Sequence, residues 1–238
     1  MQVKKQIFIF EKQVTNQQVK SKMKTKLYKH YVFDFDGTLV DSMPYYGALM
    51  LRILDEAGVT YPADVLKIIT PLGYGGAADY FRETLGMNED RETLISRMLA
   101  LAKEDYTHHI PLKEGVREAL FALKEKGASL NILTASPHDV LDVCLKRLGV
   151  WELFDNVWSC DDFATTKADS EIYRMVAKKL DTGVGKYLFI DDNLNAVKTA
   201  KAAGVPSFGI FDKSGEAFRE ELRAAADGYL MKLCDLLI

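Results

Sequence analysis

The chain has 238 residues, of which 48% are apolar and 27% are charged, a balance typical of a globular protein and unlike that of a disordered or collagen-like chain. The formal net charge of −3 is unevenly distributed, because residues 1–30 carry eight lysines and one glutamate, which leaves −10 on residues 31–238. An acidic body argues against nucleic acid as the main ligand, and no apolar run approaches the roughly 20 residues that a membrane-spanning helix needs.

The first 30 residues are predicted to form a basic, disordered extension. Their one apolar patch, residues 7–10, is too short for the apolar part of a signal peptide. An alternative is a short strand or partner-binding arm built on this patch. Met23 is a second candidate initiator, directly ahead of the first strand pattern.

From residue 31 onward, short β-rich runs alternate with helical patterns. This alternation predicts an α/β fold, a Rossmann-like parallel sheet flanked by helices. The predicted strands are residues 31–35, 129–134, 156–159, 187–191 and 207–211.

A stretch with only helical patterns interrupts this alternation after the first strand. One apolar face runs over residues 46–57 and is closed by Gly58, and a second runs over residues 94–102, with no strand indicated between them. We therefore expect a small all-helical cap inserted after the first strand, over the edge of the sheet where such folds bind ligands. The predicted domains are the extension at residues 1–30, a core at residues 31–42 and 111–238, and the cap at residues 43–110.

Two helices of the core have clear predicted ends. Apolar residues recur at helical spacing over residues 116–123, and Gly127 is expected to end that helix. Ser136 is predicted to cap the next helix, with Pro137 at its first position and Gly149 beyond its end.

The three cysteines show no spacing typical of a zinc site or a redox pair. They are Cys144, Cys160 and Cys234. An odd number of cysteines without a signal peptide indicates reduced thiols, so we expect a cytoplasmic protein.

Two carboxylates stand at the end of the first predicted strand. Asp34 and Asp36 are alternate residues, and alternate residues of a strand share a face, so both can face one site. Gly37 follows them and lets the backbone turn. Such a pair by itself is also common in solvated turns, and more evidence is needed to assign it a function.

Polar side chains also follow three other predicted strands. Thr134 and Ser136 follow the second, Lys167 lies in the loop after the third, and Asp191 and Asp192 end the fourth. The carboxyl ends of parallel strands lie at one edge of the sheet, where open α/β sheets bind ligands. Carboxylates together with an ammonium group and a hydroxyl suit a Mg²⁺ ion that also binds a substrate phosphate.

This set resembles the haloacid dehalogenase-like superfamily of phosphotransferases, and the resemblance extends from about Tyr31 to the C-terminus. The helical insert is similar to the small helical cap of the branch that contains phosphoglycolate phosphatase and β-phosphoglucomutase. The stretches that resemble the four motifs are Asp-Phe-Asp-Gly-Thr-Leu-Val-Asp-Ser at residues 34–42, Leu-Thr-Ala-Ser at residues 133–136, Lys167, and Ile-Asp-Asp-Asn at residues 190–193. The chain departs from the family pattern at Ala168 and Asp169, where a proline is common, and at Asn193, where serine is frequent.

The resemblance implies a Mg²⁺-dependent phosphatase that hydrolyses a small phosphorylated metabolite through an aspartyl-phosphate. Asp34 would be the nucleophile, Asp36 the general acid and base, and Lys167 a positive charge that screens the phosphate. Thr134, Ala135 and Lys167 would bind the phosphate. The metal ligands would be Asp34, the main-chain carbonyl of Asp36 and Asp192, with Asp191 as an outer or additional ligand.

Two alternatives stay open at this point. The acid at Asp36 favours phosphatase or phosphomutase chemistry over dehalogenation. Sugar-phosphate mutases of the family typically have histidine four residues after the first motif, where this chain has Tyr46, so hydrolysis is the favoured activity. A phosphosugar mutase and a non-catalytic phospholigand-binding module are the alternatives, and the sequence indicates neither the physiological substrate nor the oligomeric state.

Three further features have weaker functional interpretations. His108 and His109 are adjacent on a predicted helix, which favours a hinge over a metal pair. His138 can reach the crevice, but a solvated position is favoured. The turn from Gly73 to Gly76 either carries specificity or simply breaks a helix. Residues 43–110 are expected to move as a unit, with pivots near residues 41–44 and 109–112.

Overall fold

The computed structural model describes residues 28–237, so nearly all of the predicted basic extension lies outside the described residues. A sheet of six strands lies at the centre of the described part, with every neighbouring pair parallel. The strands are β1 (His30–Phe33), β2 (Ser129–Thr134), β3 (Asn156–Ser159), β4 (Tyr187–Asp191), β5 (Ser207–Ile210) and β6 (Gly228–Leu230). Their spatial order is β3-β2-β1-β4-β5-β6, and the predicted Rossmann-like α/β fold is confirmed.

The central strand β1 brings three strand ends together. Residues 31–33 are buried, as expected for a strand covered on both faces. Phe33 lies opposite Ile132 of β2 and Ile190 of β4, and the N–H of Asp34 donates to the carbonyl of Ile190 at 2.9 Å. The chain segments that follow β1, β2 and β4 therefore leave the sheet at the same edge.

The strand boundaries differ from the prediction in four places, the first being that β1 begins at His30 instead of residue 31. β1 ends at Phe33 instead of residue 35, because the chain turns at Gly37, whose φ is +77°, and the N–H groups of Leu39 and Val40 both donate to the carbonyl of Phe35. β5 ends one residue early, at Ile210. β6 was not predicted, since a three-residue strand that begins with glycine shows no apolar run.

The insert is helical throughout. Residues 43–110, all of which the structure describes, contain no strand. The helices are α1 (Met43–Glu56), α2 (Val65–Ile69), α3 (Gly73–Glu83) and α4 (Arg91–His108). Four residues of the predicted apolar face of α1 are buried, while residue 46 is partly buried and residue 57 is exposed just beyond the helix; Leu94, Met98 and Ala102 of α4 are buried.

The glycine-rich stretch of the insert does not form the predicted turn. Gly73 has a φ of +63° and ends a short 3₁₀ segment, while Gly75 and Gly76 lie in the first turns of α3. A Cβ on Gly76 would lie 2.7 Å from the Cβ of Leu72, which is closer than real Cβ contacts. The start of α3 therefore packs directly against the preceding 3₁₀ segment.

The core helices largely follow the predicted boundaries. They are α5 (Val116–Glu125), α6 (His138–Arg147), α7 (Ser170–Lys179), α8 (Leu194–Ala202) and α9 (Arg219–Ala225). Gly127 adopts a φ of +76° just beyond α5, as predicted. The prediction for the start of α6 was wrong: Pro137 is the N-cap, and the hydroxyl of Ser136 donates instead to a carboxylate of the loop after β1.

Two clusters of buried apolar side chains cover the sheet. One includes Val32, Phe189 and the apolar faces of α7 and α8. The other includes Phe33 and Ile132 and continues without a break into the helices of the insert. Helix α4 packs against α6, so the insert contacts the rest of the chain beyond its two covalent links, and its status as a separate domain stays a prediction. None of the described helices combines the length and apolarity needed to cross a membrane.

Candidate active site

Lys167 stands between two of the predicted site carboxylates. Its ammonium group donates to Oδ1 of Asp34 at 2.5 Å and to Oδ2 of Asp191 at 2.7 Å. Burial by itself lowers the pKa of Lys167, but the charges of Asp191 and Asp34 outweigh it and hold the pKa well above its usual value. The residue predicted from the loop after β3 therefore carries a fixed positive charge between the ends of β1 and β4.

A cluster of three carboxylates lies beside this lysine. Asp34, Asp191 and Asp192 each offer one oxygen, and these oxygens lie within 4.8 Å of one another. Burial raises the pKa of Asp34 to about 7, although Lys167 opposes this shift. Burial and the neighbouring negative charges also raise the pKa of Asp192 well above its usual value. The negative charge of the three carboxylates thus exceeds the positive charge that Lys167 supplies.

The donor chemistry of this cluster fits a divalent cation such as Mg²⁺. Carboxylate oxygens are the hard ligands that Mg²⁺ prefers. Three of them at this separation repel one another when ionised, and a bound cation removes that repulsion. The main-chain N–H of Asn193 donates to Oδ1 of Asp191 at 2.7 Å, which orients this carboxylate.

The turn after β1 holds Asp192 in place. The hydroxyl of Thr38 donates to Oδ1 of Asp192 at 3.1 Å. A Cβ on Gly37 would lie 2.6 Å from Oδ2 of Asp192, closer than any real contact. Only glycine therefore allows the turn and the carboxylate to approach each other this closely.

Asp36 faces different partners from Asp34. Its Oδ1 accepts a hydrogen bond from the hydroxyl of Tyr106 at 2.5 Å, and its Oδ2 accepts one from the hydroxyl of Ser136 at 2.5 Å. The carboxylate of Asp36 is absent from the three-carboxylate cluster found among the described residues. Because β1 ends before both aspartates, the prediction that they share a strand face is wrong. The two carboxylates have different hydrogen-bond partners and can therefore have different roles.

The predicted phosphate-binding residues follow β2. Thr134 is buried, and its Oγ1 accepts a hydrogen bond from the N–H of Ser136 at 3.0 Å. Ala135 is exposed in the bend between them. No hydrogen bond in the described part of the chain joins Thr134 to the carboxylates, so the role of both residues in phosphate binding stays a prediction.

Three residues at this site were not identified from the sequence. Tyr106 comes from the last turn of α4, on the same helical face as its buried apolar residues. Lys113 donates to the carbonyls of Gly37 and Phe211 and, at 2.8 Å, to Oδ2 of Asp212. Asp212 follows β5, so the same rule that singled out the other strand ends also indicates it.

The histidines of the sequence analysis lie outside this site. His138 contacts Asp142 at 2.8 Å and Asp162 at 3.0 Å, and the hydrogen bonds that its ring donates to these two carboxylates raise its pKa. It is partly exposed, in agreement with the favoured interpretation. His108 and His109 belong to no group of three metal-binding side chains among the described residues.

The sequence of this chain is similar to those of known hydrolases. A sequence model for haloacid dehalogenase-like hydrolases matches residues 31–210. A phosphorylated carbohydrates phosphatase from Thermotoga maritima is 28% identical over 174 residues, which are 73% of this chain and 81% of that protein. The pyrophosphatase PpaX from Bacillus velezensis is 31% identical over 183 residues, 75% of this chain and 81% of that protein.

A solved structure shows the same fold. CbbY from Rhodobacter sphaeroides, in complex with phosphate, matches with a TM-score of 0.75 over 88% of this chain and 96% of that chain, at 20% identity. Because the curated relatives are phosphatases and the family match spans most of the chain, the predicted enzyme class, a phosphoric monoester hydrolase, is confirmed. The chain belongs to the haloacid dehalogenase-like hydrolase family.

Proposed function

We propose that the protein is a Mg²⁺-dependent, cytoplasmic phosphatase that hydrolyses a small phosphorylated metabolite through an aspartyl-phosphate on Asp34. The observation that carries this proposal is the placement of Asp34, which is buried between the Lys167 ammonium group and the carboxylates of Asp191 and Asp192. A nucleophilic carboxylate needs positive charge around it to approach a phosphate dianion.

The carboxylates of Asp34, Asp191 and Asp192 and the main-chain carbonyl of Asp36 would hold the cation. Bound there, Mg²⁺ would supply the charge neutralisation that lets one anion approach another. Lys167 adds a second positive charge from the protein itself. Its contact with Asp34 also fixes the direction of the carboxylate.

The covalent steps use the two aspartates in turn. A carboxylate oxygen of Asp34 attacks phosphorus, the bond from phosphorus to the ester oxygen breaks, and Asp36 gives the leaving alcohol its proton. Water then attacks the phosphorus of the aspartyl-phosphate, Asp36 takes a proton from that water, and inorganic phosphate and free Asp34 are restored. The hydroxyl of Thr134 and the N–H groups of the turn after β1 would donate to the phosphate oxygens.

Tyr46 supports hydrolysis over the mutase alternative. Burial raises its pKa, and its hydroxyl lies 3.4 Å from the carbonyl of Ile69. A phenol of this kind exchanges no proton near neutral pH, unlike a histidine at the same position. The aromatic ring of Tyr46 packs against that of Tyr74, with ring centroids 5.5 Å apart.

Phosphate release from a panel of small phosphomonoesters, with Mg²⁺ and with a chelator, tests the proposal. We expect release only with Mg²⁺, and a loss of at least about a thousandfold in Asp34→Asn. Asp139→Asn, a carboxylate with an 83% exposed side chain, is the matched control and should retain activity.

The intermediate is tested separately. Borohydride reduction during turnover should convert Asp34 to homoserine, which mass spectrometry of the digested protein locates. Metal-independent release, full activity of Asp34→Asn, or trapping at a different residue would overturn the proposal.

A further inference from the structure

A small cavity lies within the insert, and its lining residues all fall between Ser42 and Ile110. Its volume is about 10 Å³, close to the space that one water molecule needs. Four tyrosines of the insert line it: Tyr45 and Tyr46 of α1, Tyr74 of α3 and Tyr106 of α4. We refer to Tyr46, Tyr74 and Tyr106 as the tyrosine cluster.

One of the residues that line the cavity contacts the proposed general acid. Tyr106 lines the cavity and donates its hydroxyl hydrogen bond to Asp36. Tyr74 is close enough to Asp36 for the carboxylate charge to add to the effect of burial in raising its pKa. Since Asp36 protonates the ester oxygen in the proposed reaction, a leaving group on the insert side of Asp36 would lie beside the tyrosine cluster.

The lining offers hydroxyl groups and no positive charge. Of the described residues that line the cavity, Asp105 is the only charged one. The hydroxyl of Tyr74 makes no hydrogen bond to a described residue. Arg147 of α6 is engaged elsewhere, since its guanidinium group donates to the main-chain carbonyls of Tyr106 and Ile110.

Ser42 provides a second, independent indication of a ligand. Its side chain lines the same cavity and is 3% exposed. Its hydroxyl oxygen is buried and has no hydrogen-bond partner among the described residues. A buried hydroxyl without a partner is costly, and a hydroxyl of a bound molecule would satisfy it.

We infer that this space receives a neutral leaving group that carries hydroxyls, such as a polyol or a sugar, in preference to one that carries a carboxylate or a second phosphate. The inference rests on the proposed function and names the substrate class for the same site. Aromatic faces and unpaired hydroxyls suit a polyol. An anionic leaving group would face Asp36 and Asp105 with no cation to balance its charge. The cavity is too small for a polyol or a sugar, so the insert must shift to admit the leaving group.

A matched pair of esters tests this preference. Ethylene glycol monophosphate and 2-phosphoglycolate differ only in a neutral hydroxymethyl group and a carboxylate. We expect kcat/KM to be at least about tenfold higher for the neutral ester, because like charges at close range disfavour the other. p-Nitrophenyl phosphate, whose leaving group needs no proton, reports on the phosphoryl-transfer groups alone.

Substitutions of Tyr74 test whether the preference for the neutral ester arises from the space beside the tyrosine cluster. Tyr74→Arg should reduce the ratio of the two kcat/KM values by about tenfold, since it places a cation beside the leaving group. Tyr74→Phe should lower kcat/KM for the neutral ester by about three- to tenfold, the effect of one lost hydrogen bond. Tyr80→Phe, on the same helix and outside the cavity lining, is the control.

The outcomes separate the two proposals. Two outcomes would overturn the inference and leave the proposed function in place, provided that p-nitrophenyl phosphate is turned over. In the first, 2-phosphoglycolate is turned over as well as or better than ethylene glycol monophosphate. In the second, neither of these two esters is turned over. An unchanged ratio in both Tyr74 variants also overturns it. No turnover of any of the three esters overturns the proposed function, and this inference with it.

Discussion

The hydroxyl of Tyr106 donates a hydrogen bond to Oδ1 of Asp36 at 2.5 Å, and so joins the last turn of an insert helix to the loop after the central strand. Ser136 donates to the other oxygen of the same carboxylate from the loop after β2. Asp36 is thus held between a hydroxyl from the insert and a hydroxyl from the loop after β2. Its orientation depends on where the insert lies.

Replacing Tyr106 by phenylalanine tests this dependence. The ring remains, but Asp36 loses one of its two hydroxyl donors, so we expect kcat to fall about tenfold for alkyl phosphates, whose leaving oxygen needs a proton. p-Nitrophenyl phosphate should be much less affected, because nitrophenolate leaves without one. Tyr80→Phe is the control, and equal losses for both kinds of ester would show that Tyr106 acts on something other than proton transfer.

Lys113 ties the turn at Gly37 to the end of β5. Its ammonium group donates to the carbonyls of Gly37 and Phe211 and pairs with Asp212 at 2.8 Å, with the side chains 18% and 4% exposed. Lys113→Met leaves the buried Asp212 carboxylate without its cationic partner, with only the N–H and hydroxyl of Ser214 still donating to it, so we expect a loss of roughly 3 kcal/mol in the free energy of unfolding.

Urea denaturation measures this loss. Lys124→Met removes a more exposed pair, Lys124 with Asp155, and should cost only about 0–1 kcal/mol. Adding Asp212→Asn to Lys113→Met should restore part of the stability, because it removes the unpaired charge. Equal costs for the two lysine variants would contradict a special role for Lys113.

Cation binding at the carboxylate cluster should depend on pH. Burial raises the pKa of Asp34 from 3.8 to about 7. A carboxyl group whose pKa is higher in the folded state than in the unfolded state contributes to stability. This contribution is complete at pH values below the unfolded-state pKa and is lost as the pH rises through the folded-state pKa of about 7. The metal-free protein should therefore lose this part of its stability as the pH approaches neutrality, whereas a cation binds the ionised cluster and opposes the loss.

Thermal unfolding with and without MgCl₂ at about pH 6 and about pH 8 tests the sign. We expect an apparent Mg²⁺ affinity about tenfold weaker at the lower pH, since Asp34 is then mostly protonated. Asp34→Asn should reduce the pH dependence along with the affinity. An equal Mg²⁺-induced shift at both pH values in the wild-type protein would show that Asp34 does not titrate in this range.

The residues at the strand ends were predictable because strand propensity is a local property of the sequence and the alternation of strand and helix patterns indicates a parallel sheet. Asp34, Lys167 and Asp191 each follow a strand run, and a parallel sheet brings such positions to one edge. Tyr106 was not predictable, since it shares a helical face with the buried Met98 and Ala102 and its periodicity indicates only a core position. What sets it apart is a contact with a residue 70 positions earlier in the chain.

Local rules also failed where a tertiary partner competed with them. Ser136 followed by proline is a typical helix start, yet its hydroxyl bonds to Asp36 and the helix begins without a side-chain cap. The glycines at positions 75 and 76 indicate a turn by composition, but they continue as helix α3, whose Ala77 and Ala78 are buried in the core. In both cases packing outweighs a preference worth about 1 kcal/mol.

The two links between the insert and the sheet run side by side. Val40 and Leu112 form an antiparallel bridge, and the N–H of Asp41 donates to the carbonyl of Pro111 at 3.0 Å. Adjacent, paired links of this kind would allow rotation about a single axis, close to both predicted pivots. Arg147 opposes opening, because it bonds to the carbonyls at the end of α4 just before the second link.

We therefore predict that the insert turns about this paired hinge and that Arg147 limits the turn. Spin labels at Glu83→Cys and Lys179→Cys, exposed positions on α3 and α7, measure the distance across the hinge in a Cys234→Ser background. The distance distribution should narrow when Mg²⁺ and a phosphate analogue bind, because water must be excluded during attack and admitted for hydrolysis. Arg147→Gln should broaden the distribution of the free protein, since it releases the end of α4 from α6. Identical distributions in the free, bound and variant proteins would mean that the continuous apolar cluster holds the insert fixed and that leaving groups reach Asp36 by another route.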